Sequence, residues 1–194
     1  MDKKSLVTFI QSNSRATSEV VDYIASFFDE KVIPRHDYLL RAGAISDDYF
    51  FLTEGFLRVF TLDADGNEVT TYFYSSNRAV FDVSSLFMRI PSTENIQALA
   101  VCKGYCISFD TLNKLFHSLP EFREFGRLML VKEFAAFKQR TLALINKSAE
   151  ERYLDLIGTN KEVFQHAQLK QIASYLGITD TSLSRIRRDL SKKK

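Results

Sequence analysis

The sequence predicts an α+β chain: an antiparallel β barrel or sandwich in its first part, then helices alone. Three observations predict it. Between about residues 32 and 109, short β-branched and aromatic runs alternate with glycine-containing turns. From about residue 111 the apolar spacing switches to the helical period. The final stretch, QLKQIASYLGITDTSLSRIRRDL at 168–190, is two short helical patterns flanking Gly177, the second rich in arginine.

Residues 17–29, TSEVVDYIASFFD, have the pattern of a short amphipathic helix. The run YFFLTEGFLRVFTLDADGNEVTTYFYS is broken by EG and DADGNE, where glycine supplies the positive φ of a hairpin turn. NIQALAVCKGYCISF repeats the design, with Lys103-Gly104 as the expected turn. TLNKLFHSL is a short helix stopping before Pro120.

Residues 121–146 predict a long helix with two adjoining apolar stripes. One holds Leu128, Val131, Ala135, Leu142 and Ile145, with Lys138 inside it. The other holds Leu130, Phe134, Phe137 and Leu144. Lys132, Glu133, Gln139 and Arg140 are expected on the remaining, solvated face. The apolar arc is wider than the roughly 100° that one core requires. Two partners satisfy it: the barrel against the second stripe, and a second copy of the chain against the first. The alternative is a helix buried within a monomer.

SAEE at 148–151 is a capping box, so a new helix is expected directly after the long one. This divides the chain into 1–147 and 148–194. In the second unit, Leu169, Ile172, Ala173 and Leu176 make one apolar face, and Gly177 stands where a helix end turns left-handed. Ile178 plugs the turn, and Thr179 or Asp180 caps the next helix. Leu183, Ile186 and Leu190 point to a core. Thr181, Ser184, Arg185 and Arg188 fall on the opposite face, at i, i+3, i+4 and i+7. An apolar back, a polar front and an arginine able to bond two acceptors of guanine suit a helix in the major groove. Arg187 and Lys192–Lys194 suit phosphates.

Charge agrees with that end of the chain meeting an anion. Residues 148–194 hold nine Lys/Arg against six Asp/Glu, whereas 1–147 hold 17 against 18. No run approaches the roughly 20 apolar residues of a membrane helix, and the first apolar run is too short for a signal peptide, so a cytoplasmic protein is expected. Cys102 and Cys106 are expected as buried thiols, and His36, His117 and His166 are too scattered for a metal site. No phosphate loop or nucleophile–base grouping marks an enzyme.

The sequence resembles the Crp/Fnr family of bacterial transcription regulators over nearly its whole length. The matching residues are LLRAGAISDDYFFLTEGFLRVF, the DADGNEV hairpin, PSTENIQALAVCKGYCIS, SAEERYLDLI and IASYLGITDTSLSRIRRDL. The wording PS…IQAL and SAEERYL is similar to the Bacteroidetes branch. The resemblance implies a jelly-roll-like, antiparallel double-stranded β-roll of the cyclic-nucleotide-binding type, a long dimerisation helix and a C-terminal helix-turn-helix domain. It implies a homodimer on an inverted-repeat operator in double-stranded DNA, with RNA polymerase as a further partner. Arg185 matches the family's base-reading arginine. Thr179, Asp180, Thr181 and Ser182 occupy the helix start that contacts bases or phosphate. Many members carry glutamate where Thr181 stands, so their common operator does not carry over. No β-hairpin wing beyond that helix is expected.

Nucleotide-binding members carry Gly-Glu and, some ten residues on, Arg-Ser or Arg-Ala. Here Asp82-Val83 and Thr93-Glu94 occupy those places. Glu94 repels a phosphate, and Arg89 is off register. An effector pocket is expected around Phe81, Asp82, Ser84, Ser85, Thr93, Glu94, Phe134 and Phe137, with Phe87 as a further wall. It is expected to be filled by side chains or to take a different, less anionic ligand, not cyclic AMP or cyclic GMP, and no cofactor is expected. The cysteine cluster of iron–sulfur members is absent from the sequence. The competing function is a ligand-sensing roll whose helical end binds a protein instead of DNA.

Overall fold

The computed structural model describes residues 3–192. Two helices open the chain, α1 (Lys4–Ser12) and α2 (Ser18–Ser26). The strands follow: β1 (Asp29–Ile33), β2 (Tyr38–Leu40), β3 (Asp48–Glu54), β4 (Leu57–Leu62), β5 (Glu68–Tyr74), β6 (Arg78–Val80), β7 (Asn95–Ala98) and β8 (Cys102–Ser108). A short helix, α3 (Val83–Met88), joins β6 to β7. After β8 come only helices: α4 (Phe109–Ser118), α5 (Pro120–Asn146), α6 (Ala149–Thr159), α7 (Val163–His166), α8 (Leu169–Tyr175) and α9 (Asp180–Lys192). The α+β class matches the sequence-based expectation. Helix α1 lies where no element is predicted from sequence.

All strand pairings are antiparallel. One sheet has the order β1-β8-β3-β6 and the other β2-β7-β4-β5. Their inner faces share a core in which Ile33, Phe50 and Leu52 meet Leu57, Val59 and Ile96. Strand β3 is apolar on both faces for a reason. Phe50 and Leu52 point into the roll, while Tyr49 and Phe51 pack outward in a second core with Leu6, Ile24 and Phe122. The first half of α5 is anchored there by Phe122, Phe125 and Met129, which are buried.

The DADGNE turn is built as read. The Asp63 carboxylate accepts from the amides of Asn67 at 2.8 Å and Asp65 at 3.0 Å, and these bonds hold its pKa below the usual carboxylate range. Lys103-Gly104 is not a turn. Both residues lie inside β8, opposite β1 and β3, and the chain crosses at 99–101 from the sheet of β7 to the sheet of β8. A Cβ on Gly104 would sit 2.1 Å from the Phe51 carbonyl oxygen, so glycine is needed there for close strand approach.

Candidate functional site

Helix α6 starts on the capping box: the Glu151 amide donates to Ser148 Oγ at 3.2 Å, and the Ser148 amide to Glu151 Oε2 at 2.7 Å. The Ser148 amide and hydroxyl, both donating to the Glu151 carboxylate, lower its pKa. Helix α8 ends in a paired cap. The Ile178 amide donates to the Ala173 carbonyl and the Gly177 amide to Ser174, each at 3.0 Å, with Gly177 at φ +66°. Thr179, not Asp180, caps α9, its hydroxyl accepting from the Ser182 amide at 3.3 Å. Ile172, Ala173, Leu176 and Leu183 are buried, with Ile178, Ile186 and Leu190 packed on them. Leu169 does not join that buried face. It is the first residue of α8 and is 43% exposed.

The turn sets α9 with its back on this core and its front open. Asp180, Thr181, Ser182, Ser184, Arg185 and Arg188 line one shallow depression on that front. Arg185, Arg187 and Arg188 are exposed. The contact between Arg188 and Asp189, 3.7 Å across exposed groups, is too weak to tie that arginine down. Thr179 sits at the edge, its hydroxyl engaged with Thr181 and Ser182. Of the expected phosphate-binding lysines, Lys192 is at the exposed end of α9; Lys193 and Lys194 lie outside the described residues.

A second feature is a cavity of about 740 Å³ between the roll and α5. Its roll side is Val59, Thr71, Tyr72, Tyr74, Phe81 and Ile96; its helix side is Leu130, Glu133, Phe134, Phe137, Arg140, Thr141 and Leu144. Asp82, Val83, Ser84 and Glu94 complete the wall. The structure thus brings together Phe81, Asp82, Ser84, Glu94, Phe134 and Phe137. Ser85 and Thr93 do not belong to it. Ser85 is fully buried, its hydroxyl accepting from the Ser46 amide at 2.8 Å. Thr93 is exposed, its carbonyl accepting from Thr61 Oγ1. Phe87 is also absent from the wall; it packs among Phe81 and Phe116.

Glu133 and Arg140, expected in solvent, face the roll. Arg140 lies over the Tyr175 ring, 3.7 Å from its centroid, and donates to the Tyr175 carbonyl at 2.9 Å. Burial lowers its pKa. Burial raises the pKa of Glu133, opposed by the charge of Arg78. Glu94 accepts from Thr71 Oγ1 at 2.7 Å; burial raises its pKa, that bond works against the rise, and the charge of Asp82 adds to it. The Asp82 oxygens are taken by the Ser85 amide and the Ser92 hydroxyl. Arg89 is turned away from the cavity, paired with Asp47 and donating to the Ser46 carbonyl. Cys102 is buried and its thiol is pushed up to about 11, which leaves it no thiolate character at neutral pH.

The first apolar stripe of α5 is uncovered. Val131, Leu142 and Ile145 are 53%, 45% and 71% exposed, Ala135 is exposed and Leu128 half-buried. The helical end also rests on the roll. Phe56, Phe73 and Leu99 share one core with Leu156, Ile172 and Leu176, and the Thr70 amide donates to Ser174 Oγ at 2.9 Å.

Among the described residues no helix is long and apolar enough to cross a membrane, and no group of three His, Cys, Asp or Glu is placed to hold a metal. Residues 30–118 match the model of the cyclic nucleotide-binding domain. The chain is 25% identical over 169 residues to the fumarate and nitrate reduction regulatory protein of Yersinia pestis, covering 81% of this chain and 66% of that protein. It therefore spans just under two thirds of that relative's length. Its fold is similar to that of the c-di-GMP-responsive global regulator CLP of Xanthomonas campestris, with a TM-score of 0.71 at 15% identity, covering 91% and 93% of the two chains. It is likewise similar to a transcriptional regulator assigned to the Crp/Fnr family from Eubacterium rectale, with a TM-score of 0.72 at 13% identity and coverage of 92% and 85%.

Proposed function

We propose that this chain, which belongs to the Crp/Fnr family of regulators, binds double-stranded DNA as a homodimer and regulates transcription. The observation that carries this reading is the open front of α9. Thr181, Ser184, Arg185 and Arg188 project from a helix whose back is buried, on a unit with a basic excess. Major-groove readout needs that arrangement. The uncovered stripe of α5 takes the same stripe of a second copy, and the dimer fixes the spacing of two α9 helices. A ligand in the cavity biases that spacing by binding one arrangement more tightly than the other.

Sequencing DNA fragments selected by the purified protein tests this. The expected product is an inverted repeat with half-sites about 34 Å apart along the duplex. Affinity is expected to fall steeply as salt rises, because phosphate contacts release counterions. Selection of no common sequence, with binding indifferent to salt, would overturn the reading and favour a protein partner for the helical end.

Cyclic nucleotides are not the ligand in this reading. A cyclic phosphate takes its strongest hydrogen bonds from arginine. The cavity offers Glu94 at the corresponding place, while Arg89 is held by Asp47 and Ser46. Calorimetry with cyclic AMP or cyclic GMP is expected to show no binding at physiological concentrations; low-micromolar affinity for either would refute it.

A further inference from the structure

The cavity that turns away a phosphate has a charge pattern of its own. Glu94 and Glu133 stand on its two sides, one on the roll and one on α5. Glu94 has one neutral donor, Thr71. Among the described residues Glu133 makes no hydrogen bond or ion pair; Arg78 acts on it only at longer range. The wall contains one cation, Arg140, and it is committed to the ring and carbonyl of Tyr175. Tyr72 and Tyr74 line the same cavity, their ring centroids 4.7 Å apart. Tyr74 feels the charge of both glutamates.

Half-buried carboxylates with no cation in contact are destabilised relative to water. An anionic ligand would add to that, and a neutral one would bury them further unpaired. A cation supplies the missing charge, and aromatic faces attract the same cation through their quadrupole. Asp82 also lines the cavity, but its oxygens are taken by the Ser85 amide and the Ser92 hydroxyl. Phe81, Ile96, Leu130, Phe134, Phe137 and Leu144 give the wall an apolar part that suits a hydrophobic body.

We propose that the cavity takes an organic ammonium, an apolar or aromatic body bearing one positive charge, held by Glu94 and Glu133 beside the rings of Tyr72 and Tyr74. This rests on the cavity being the effector site. It differs from that reading in naming the sign of the ligand's charge.

The test uses three probes of one shape on the full chain: tryptamine, 3-ethylindole and indole-3-propionate, positive, neutral and negative at pH 7. The protein has no tryptophan, so indole fluorescence reports the probe. Tryptamine is expected to bind about tenfold or more tightly than 3-ethylindole, with the propionate weakest, as desolvated cation–π and ion-pair contacts require. Glu133→Gln and Glu94→Gln should each weaken tryptamine about fivefold or more and leave 3-ethylindole within about twofold. Their melting temperatures, equal to or above the parent's, show that the fold is kept. Equal affinity for the neutral probe, preference for the propionate, no binding of any probe at millimolar concentration, or glutamine variants that hold tryptamine as before would each overturn the proposal. DNA affinity separates the two readings. Tryptamine binding in the expected order without effect on DNA leaves the charge assignment standing and removes the effector role. Tight binding of 3-ethylindole that changes DNA affinity does the reverse.

Discussion

Val131→Glu is expected to leave the protein monomeric and to lower its affinity for the selected operator by about 10²–10⁴-fold. Val131 is half exposed near the middle of α5, in line with Leu142 and Ile145. In a two-fold pair of helices this stripe meets its own copy, so one substitution places two like charges at a desolvated seam. The fold of the subunit should survive, because α5 is anchored by Phe122, Phe125 and Met129, away from the change. What fails is avidity: each subunit then holds one half-site alone. Sedimentation velocity reads the mass and gel shift the affinity. A parent protein that is monomeric at micromolar concentration, both free and on DNA, would remove the basis of this expectation.

Arg185→Ala is the second large effect. The side chain is exposed at the middle of the α9 front, with no ion pair to hold it. A bidentate arginine–guanine contact discriminates by about 1–3 kcal/mol, or about 5- to 150-fold in affinity per half-site. The loss should be confined to the true site and should relax preference at one base pair in each half. Lys192→Ala provides the contrast, weakening all sequences about equally and reducing the salt slope. Equal loss on random and selected DNA in Arg185→Ala would show that this arginine touches only phosphate.

The parts of the fold legible in the sequence are those that local chemistry decides. The Ser148–Glu151 cap, the Asp63 turn and the left-handed Gly177 each need only neighbours within five residues. What tertiary contact decides was misread. Gly104 reads as a turn residue, yet it is glycine because Phe51 crosses it from another strand. The connection that does separate β7 from β8, LAV at 99–101, carries neither glycine nor proline. A helical wheel sorts polar from apolar, so it put Glu133 and Arg140 in water. It cannot register that a cavity with polar walls, or the Tyr175 carbonyl, lies on that side. Ser85 and Thr93 belong to the stretch that resembles the family's nucleotide-binding cassette, but a buried backbone amide claims the first and an outward bend removes the second. Tyr72 and Tyr74, which define the cavity's aromatic wall, alternate with Phe73 along β5, so they read as an ordinary strand.

The core shared by the roll and the helical end also bears on how the chain comes to be folded. Thr70 and Ser174, which bond across it, are 104 residues apart. A ribosome adding about 5–20 residues per second makes the second roughly 5–20 s after the first. Phe56 and Phe73 are made around the start of that interval and Leu99 within it, long before α8, which helps to cover them, is complete. The nascent roll therefore displays an aromatic surface on the sheet whose edge strand is β5. Uncovered apolar surface beside a free strand edge is what chaperones hold and what aggregates recruit. Helices made long after the roll are thus the ones that close it.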